Sequence, residues 1–500
     1  MENLQALKNL IDDDLLMDLE HFQAFKNELV GQITCDSREV NKPLVNGVTL
    51  FFALVGQCFD GHNFIGDVFR KNPLAIVASE KDLNLCHTRS IQVKDIQTAM
   101  AIVAKKFFKK PDAKLNLIGI TGTNGKTTTA YLCRAMLNTV SKAGMLGTIE
   151  YDVCGKTRKV SNTTPAAITL FQMLAEAVQN GCRELILEIS SHALELKRVY
   201  GLEIGVAVFT NLSSEHLDFH GNIDNYFSAK GKLFYGTNGY KPKYSVINID
   251  DVYGRQLFHS LKHNGEMPVS FGFSNDADFK VCNVKKNDID GTIFEIRTPR
   301  QSYEFRSHLF GYYNLLNMAA SFTACMMVYE EPKKFIEAIY NFQGVPGRMD
   351  KVMLPNGVAV FIDYAHTPDA LGTTIETLLS VKQRHLITVF GCGGNRDATK
   401  RAPMTRIVNE MSDFAIATSD NPRHELQDNI FKDMERGVVD GSKIIFTKDR
   451  REAITKAIQR SRVGDIILIA GKGHETYQLV GDKVFDFDDK KIVKEIGNLC

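Results

Sequence analysis

The segment Leu117–Thr128, LIGITGTNGKTT, constrains the fold more than any other stretch of the chain. An apolar run of strand length turns through two glycines and passes at once into the helix-compatible TTAYLCRAML. A strand that feeds a helix through so tight a turn builds a parallel α/β unit, since the helix is the crossover to the next parallel strand. The loop reads as phosphate-binding. Glycines let backbone N–H groups curl round phosphate oxygens, Lys126 reaches the β/γ-phosphates, and Thr127 offers a hydroxyl to Mg²⁺ at a helix N-terminus that already favours anions. The matching core is G-x-x-G-K-T, because Ile120 stands where the longer pattern has its first glycine.

Five hundred residues exceed what one hydrophobic core holds, and about three domains are expected. Sixty Lys and Arg against 59 Asp and Glu leave a formal charge of +1, with 44% hydrophobic and 24% charged residues, the make-up of a soluble globular protein. A near-zero charge offers no footprint for sequence-independent nucleic-acid binding, so no nucleic-acid partner is expected and any anionic ligand must be held by a local site. The ten cysteines are scattered singly without a C-x-x-C pair, which reads as reduced thiols in a cytoplasm. No run of about 18 apolar residues occurs, and the acidic start MENLQALKNLIDDDLL lacks a basic segment followed by an apolar one. The chain is expected to be cytoplasmic, neither exported nor membrane-spanning, and a monomer.

Three blocks are read along the chain: 1–113, with short strands and turn residues; 114–348, opened by the phosphate loop; and 349–500, beginning after the glycines and proline of GVPGR. The last is the most regular. Strands are read at VAVFID, HLITVFG, FAIATSD, KIIFTKD and DIILIAG, each followed by polar or Gly-rich residues. In open parallel sheets ligands bind beyond the carboxyl ends of the strands, so those polar residues fall where a site would be built.

Strand RELILEI ends in Glu188, and a carboxylate at a strand end beside a phosphate loop is the companion ligand for a nucleotide's Mg²⁺, although a solvated surface glutamate has the same sequence signature. GVAVFTN runs into LSSEHLDFHG, placing His216, Asp218 and His220 on one loop. His216 is a metal-ligand candidate, and a merely hydrogen-bonded loop histidine is the commoner case. On a helical wheel of DNYFSAKGKLFY, Lys230 falls in the middle of the stripe formed by Tyr226, Phe227, Leu233 and Phe234, whereas Lys232 faces away. Desolvation lowers a lysine pKa and frees a neutral amine for CO₂ addition; by the wheel alone, a snorkelling lysine packed on Phe227 is the commoner outcome.

Taken together, TGTNGKTT, NTTP, LEISSHAL, TNLSSEHLDFHG and AKGKLF resemble the Mur ligase family, the ATP-dependent amide-forming enzymes of peptidoglycan precursor synthesis. CDSR, LFFALVG, FDGHNFI, INIDD, GYYNLLN, GVPGR, DYAHTPDAL, FGCGGNRD, SDNPR and GKGHETYQ extend the resemblance over nearly the whole chain, and several look like the member that adds meso-diaminopimelate to UDP-MurNAc-L-Ala-D-Glu. The resemblance implies an α/β fold of three domains: a small α/β domain for the UDP-substrate, a central P-loop ATPase with a mostly parallel sheet, and a C-terminal Rossmann-like parallel sheet. It places the UDP part of the substrate at Ser37, Gln57, Cys58 and Phe59, and its peptidyl end at Asn162, Thr163, Thr164, Ser190 and Arg198. ATP falls to Gly122, Thr123, Asn124, Gly125, Lys126, Thr127 and Thr128, with Asn314, Arg348 and Asp363. The incoming amino acid falls to Arg396, Asp420, Asn421, Pro422, Arg423, Gly471 and Glu475. It further implies two Mg²⁺ ions held by Thr127, Glu188, His216 and Lys230, the last as a CO₂-derived carbamate. Two positions depart from the family pattern, Leu196 in place of glutamine and Glu215 in place of aspartate.

The reaction so implied transfers the ATP γ-phosphoryl to the D-glutamate γ-carboxylate and lets an amine displace phosphate from the acyl phosphate, with domain closure expected to exclude water. An L-lysine-adding relative and a folylpolyglutamate-synthase-like ligase are alternatives within the same chemistry. A P-loop ATPase that drives a conformational change without ligation is the alternative outside it, and it leaves Lys230, Arg396 and Arg423 without a role.

Overall fold

The computed structural model describes residues 4–40, 47–56, 59–83, 89–158 and 160–497. The chain forms two compact units, Met1–Lys280 with Met318–Ala338, and Val281–Asn317 with Ile339–Cys500.

The first unit contains two sheets. The smaller runs in the order Gln5–Ala6, Leu29–Thr34, Val48–Phe52, Ile76–Ser79, Ser90–Gln92, parallel after its first pair. The larger has a parallel core in the order Val269–Gly272, Tyr244–Asn248, Val206–Phe209, Asn116–Thr121, Glu184–Glu188, Ala143–Leu146, extended by the antiparallel hairpin Tyr151–Asp152 and Thr157–Arg158. Asn116–Thr121 lies mid-sheet, and all its residues but Asn116 are buried, as a strand covered by helices on both faces requires. Helix Lys126–Leu137 leaves it directly. Helix Ile223–Tyr235 buries Tyr226, Ala229, Lys230, Leu233 and Phe234 along one stripe, and Lys232 turns outward to pair with Glu195 at 2.6 Å.

The second unit is built on a six-stranded sheet in the order Asp350–Met353, Ala359–Asp363, Ile466–Ala470, Leu386–Cys392, Phe414–Ser419, Ile444–Thr447. The last five are parallel and correspond to the five strands read from the sequence; Asp350–Met353 adds an antiparallel edge. A separate hairpin, Tyr477–Val480 with Lys483–Asp486, was not legible, because its residues are exposed or half-buried and carry no apolar run.

The expectation of ten reduced thiols is corrected. Cys154 and Cys182 are joined in a disulfide, with Cα atoms 5.8 Å apart. The edge hairpin folds back beside the turn that enters strand Glu184–Glu188, and Asn180 Nδ2 donates to the Val153 carbonyl at 2.8 Å across the same contact. Sequence spacing carries no trace of that tertiary approach. Cys35, Cys133, Cys282, Cys325 and Cys392 are free thiols; Cys58, Cys86 and Cys500 lie outside the described residues.

Candidate active site

Gly122 and Gly125 have φ of +147° and +85°. A Cβ on Gly122 would lie 1.9 Å from Thr210 Oγ1, so only glycine fits there. The loop is clamped by the segment following Val206–Phe209. Thr210 Oγ1 donates to the Asn124 carbonyl at 2.7 Å, the Thr123 N–H to the Asn211 carbonyl at 2.9 Å, and the Asn124 N–H to Asn211 Oδ1 at 2.8 Å. Lys126 folds back, its Nζ donating to the Gly122 and Thr123 carbonyls at 2.9 and 2.7 Å. Thr127 and Thr128 open the helix and are buried.

Glu188, the last residue of its strand, is fully buried beside that helix start. Oε2 accepts from Thr127 Oγ1 and Thr148 Oγ1, each at 2.9 Å, and Oε1 from the Thr148 N–H at 2.9 Å. Gly147 leaves the space for it, since a Cβ there would stand 2.2 Å from Oε1. Lys230 is 1% exposed; its Nζ donates to the Gly122 carbonyl at 2.8 Å and lies 4.5 Å from the centre of the Tyr226 ring. Burial pushes its pKa well below the ordinary lysine range, and the charge of Lys126 adds to the effect. His216 has φ +58° and its ring centre is 4.9 Å from that of His192. Burial lowers the pKa of His192 to about 4, and partial desolvation lowers that of His216, whose side chain keeps 44% of its surface exposed.

A polar wall continues from Glu188. Its carbonyl accepts from Thr164 Oγ1 at 2.8 Å, that hydroxyl accepts the Ser190 N–H at 3.1 Å, and Arg198 Nη1 donates to the Thr164 carbonyl at 3.0 Å. Thr163 and Thr148 hydroxyls are 3.2 Å apart, and the Tyr151 hydroxyl donates to the Asn162 carbonyl. The structure thus gathers Asn162, Thr163, Thr164, Ser190 and Arg198 at the carboxyl end of one strand. Ser37 is half-buried, with its carbonyl taking Lys71 Nζ at 2.9 Å, and Phe59 is 74% exposed. Gln57 and Cys58 lie outside the described residues.

In the second unit, Asp363 ends its strand, and its carboxylate accepts the Met349 and Ala365 N–H groups at 2.7 and 2.8 Å. Burial raises its pKa, and Arg348 opposes the rise. Arg348 stacks 4.6 Å over the Tyr364 ring, and Asn314 Nδ2 donates to the Phe310 carbonyl at 2.8 Å. Two loops then meet. Gly471, φ +112°, is pressed so close to Asp420 that a Cβ would lie 2.8 Å from Oδ2, and Gly394 so close to Pro422 that a Cβ would lie 1.9 Å from its carbonyl oxygen. Asn421 Nδ2 donates to Glu475 Oε2 at 2.8 Å. Arg423 commits Nη1 to the Gly394 and Asn421 carbonyls at 2.9 and 3.3 Å; among the described residues its Nε and Nη2 have no acceptor. Gly393 lies between Arg423 and the exposed Arg396. Beneath both loops, Arg450 donates to the Ser419 and Ala470 carbonyls at 3.2 and 3.0 Å.

Residues 120–325 match the Mur ligase middle domain, and residues 347–473 the Mur ligase glutamate ligase domain. The chain belongs to the Mur ligase family. It is thus an ATP-dependent amide-forming ligase. It is 39% identical over 474 residues to a UDP-N-acetylmuramoyl-L-alanyl-D-glutamate–2,6-diaminopimelate ligase of Solibacter usitatus, covering 94% of each chain. It is 39% identical over 489 residues to the enzyme of that name from Aquifex aeolicus, covering 97% of each. A solved structure of a ligase of the same name superposes with a TM-score of 0.68 at 29% identity, covering 99% of each chain.

Four residues that pack against the candidate residues of this Mur ligase, two in each unit, were not legible in the sequence. Thr148, which holds both oxygens of Glu188, follows strand Ala143–Leu146 and was marked only by its place beyond a strand's carboxyl end. Tyr151 sits on the edge hairpin, Arg450 is a buried cation whose counter-ion Asp489 is distant in sequence, and buried Lys472 joins nearby Glu475 and Tyr477 to the distant Asn421.

Proposed function

We propose that this Mur ligase joins meso-diaminopimelate to the D-glutamate γ-carboxylate of UDP-MurNAc-L-Ala-D-Glu in peptidoglycan precursor synthesis. The observation that carries the amine choice is Arg423, which is half-buried: with Nη1 committed to two carbonyls, the Nε–Nη2 edge remains for a carboxylate. Such a fork suits the distal carboxylate that distinguishes meso-diaminopimelate from lysine. The names of the relatives support the same reading.

The phosphate loop, Gly122–Thr128, takes the ATP phosphates; in the second unit Asn314, Arg348 and Asp363 are read from the family resemblance as nucleotide contacts. Asn162, Thr163, Thr164, Ser190 and Arg198 take the peptidyl end of the UDP-substrate, and Ser37, Gln57, Cys58 and Phe59 its nucleotide end. Arg396, Asp420, Asn421, Pro422, Arg423, Gly471 and Glu475 take the amine. Segments 1–113, 114–348 and 349–500 serve as the corresponding domains. The γ-phosphoryl passes to the γ-carboxylate, the amine attacks the acyl phosphate, and phosphate leaves as the C–N bond forms. Lys126, released from its loop carbonyls, meets the phosphoryl oxygens on which charge develops.

The donor set at the loop fits magnesium. Thr127 and Glu188 offer oxygen donors and His216 a nitrogen, and Lys230 as a carbamate would add further oxygens of the kind magnesium prefers. Lys230 fits that modification, since it is buried and pairs with no carboxylate among the described residues. Bound Mg²⁺, two ions, would supply charge neutralisation at the phosphates. No described helix is long and apolar enough to cross a membrane. We place the enzyme in the cytoplasm because its proposed reaction consumes ATP, and we take it to act as a monomer.

The test is direct. Purified protein with ATP, Mg²⁺ and UDP-MurNAc-L-Ala-D-Glu, offered meso-diaminopimelate and L-lysine separately, should yield the product mass of the former alone. Equal product from lysine would overturn the substrate assignment.

A further inference from the structure

Lys472, in the loop after Ile466–Ala470, reaches the loop after Phe414–Ser419 and has no exposed surface. Its Nζ donates to Glu475 Oε2 at 3.0 Å, to Asn421 Oδ1 at 3.3 Å and to the Tyr477 carbonyl at 2.5 Å. An ammonium has three N–H groups, so all are engaged within the protein and none is left for a ligand carboxylate. Asn421 closes the triangle, giving its Nδ2 hydrogen to the same Glu475 oxygen at 2.8 Å while its Oδ1 also takes the Leu479 N–H at 2.9 Å.

The effect falls on Glu475. Oε2 is engaged by both Lys472 and Asn421, and Oε1 accepts nothing among the described residues. The carboxylate is therefore fixed in orientation with one oxygen committed and the other available. The third arm, to Tyr477, ties Lys472 to the hairpin that also holds Arg423, whose N–H donates to the Leu479 carbonyl at 3.0 Å and whose carbonyl accepts the Gly481 N–H at 2.6 Å. One buried cation thus links the carboxylate that can meet an ammonium to the strand that carries the guanidinium.

We propose that Lys472 is a positioning residue of the amine site: by holding Glu475 Oε2 it aims Oε1 at an ammonium of the incoming diamino acid and sets how tightly that substrate is held. The inference rests on the amine-site reading under Proposed function. Without Lys472, a carboxylate largely out of water loses its counter-ion and either takes a proton or turns toward solvent. Either change removes the partner of the ligand's ammonium.

Lys472→Met should raise KM for meso-diaminopimelate on the order of 100-fold, with KM for ATP and the UDP-substrate nearly unchanged. Glu475→Gln should raise the same KM, and the double variant Lys472→Met/Glu475→Gln should match Glu475→Gln alone, because Lys472 then has no carboxylate to aim. The double variant buries no unpaired charge, so the comparison with Glu475→Gln stands even if Lys472→Met alone does not fold. A KM unchanged in Lys472→Met, or effects of the two substitutions that multiply, would overturn the inference while turnover by the unmodified protein leaves the functional reading intact. If the unmodified protein turned over no meso-diaminopimelate, the functional reading would fail and the inference with it.

Discussion

Lys126 and Lys230 converge on one oxygen: the Gly122 carbonyl accepts from Lys126 Nζ at 2.9 Å and from Lys230 Nζ at 2.8 Å. Two ammonium groups sharing an acceptor repel each other, and the one with no access to water gives way. Burial is the larger cause of the lowered Lys230 pKa and Lys126 the second, so the neutral amine is favoured at Lys230. A neutral amine is what adds to CO₂, forming an N–C bond with release of one proton and replacing the buried base by an anion.

Lys230→Ala should therefore lose ligase activity by about 100-fold or more, measured as phosphate release dependent on UDP-substrate and amine together. Short carboxylic acids should restore part of it by occupying the place of the missing anion. Full activity in the alanine variant would remove the carbamate from the mechanism.

Arg423→Ala should raise KM for meso-diaminopimelate by about 100-fold or more while leaving KM for ATP and the UDP-substrate close to the parent values. Selectivity over L-lysine should fall in the same variant, since the carboxylate partner is what lysine lacks. Steady-state kinetics with both amines decides it, and an unchanged ratio between them would assign the choice elsewhere.

The sequence located strands and the phosphate loop well because each leaves a local mark. A buried parallel strand such as Ile466–Ala470 is a run of apolar residues, and Gly122 and Gly125 are needed at positive φ. The phase of Lys230 on the apolar stripe of its helix was legible, but its burial was not, since by the wheel alone a snorkelling lysine is the commoner outcome. What hydrophobic periodicity cannot report is which side chains meet across distant segments. Lys472 reads as a lysine between two glycines with nothing to show that it meets Asn421, Cys154 and Cys182 read as isolated thiols, and the Glu188 carboxylate shows nothing of its second clamp, Thr148. The adenine- and amine-side residues came from resemblance to a family, since no spacing rule links Asn314 or Arg396 to a ligand.

The fully buried pair Arg450 and Asp489 is joined by two hydrogen bonds of 2.8 Å, from Nε and Nη2. Asp489→Ala should destabilise the protein by about 3–5 kcal/mol, because a guanidinium is left without a counter-ion out of reach of water. Asp489→Leu combined with Arg450→Met should recover most of that loss in urea unfolding. Recovery would fail if the carbonyls of Ser419 and Ala470 depend on the guanidinium more than the pair depends on its own balance.

Burial, with Arg348 and Lys472 nearby, lowers the His474 pKa to about 4 from an ordinary value near 6.5. As pH falls through this window the unfolded chain takes up the proton first and the folded protein does not. Stability is therefore lost progressively from about pH 6.5 to about pH 4 and levels off below. Relative to His474→Asn, the parent should lose about 2 kcal/mol between pH 7.5 and pH 5 in urea unfolding. Equal slopes for the two proteins would show that His474 is not held neutral.

The place of Arg450 has an evolutionary side. It anchors the roots of both loops from a helix that belongs to neither, through the carbonyls of Ser419 and Ala470, and a backbone carbonyl is one that any residue supplies. Side chains beyond the two roots can then change while the sheet beneath them stays as it is. On the amine-site proposal, a lineage that changed the diamino acid in its cell wall would rewrite 420–425 and 471–478 together with the loop that carries Arg396, and a laboratory graft would carry the same three stretches.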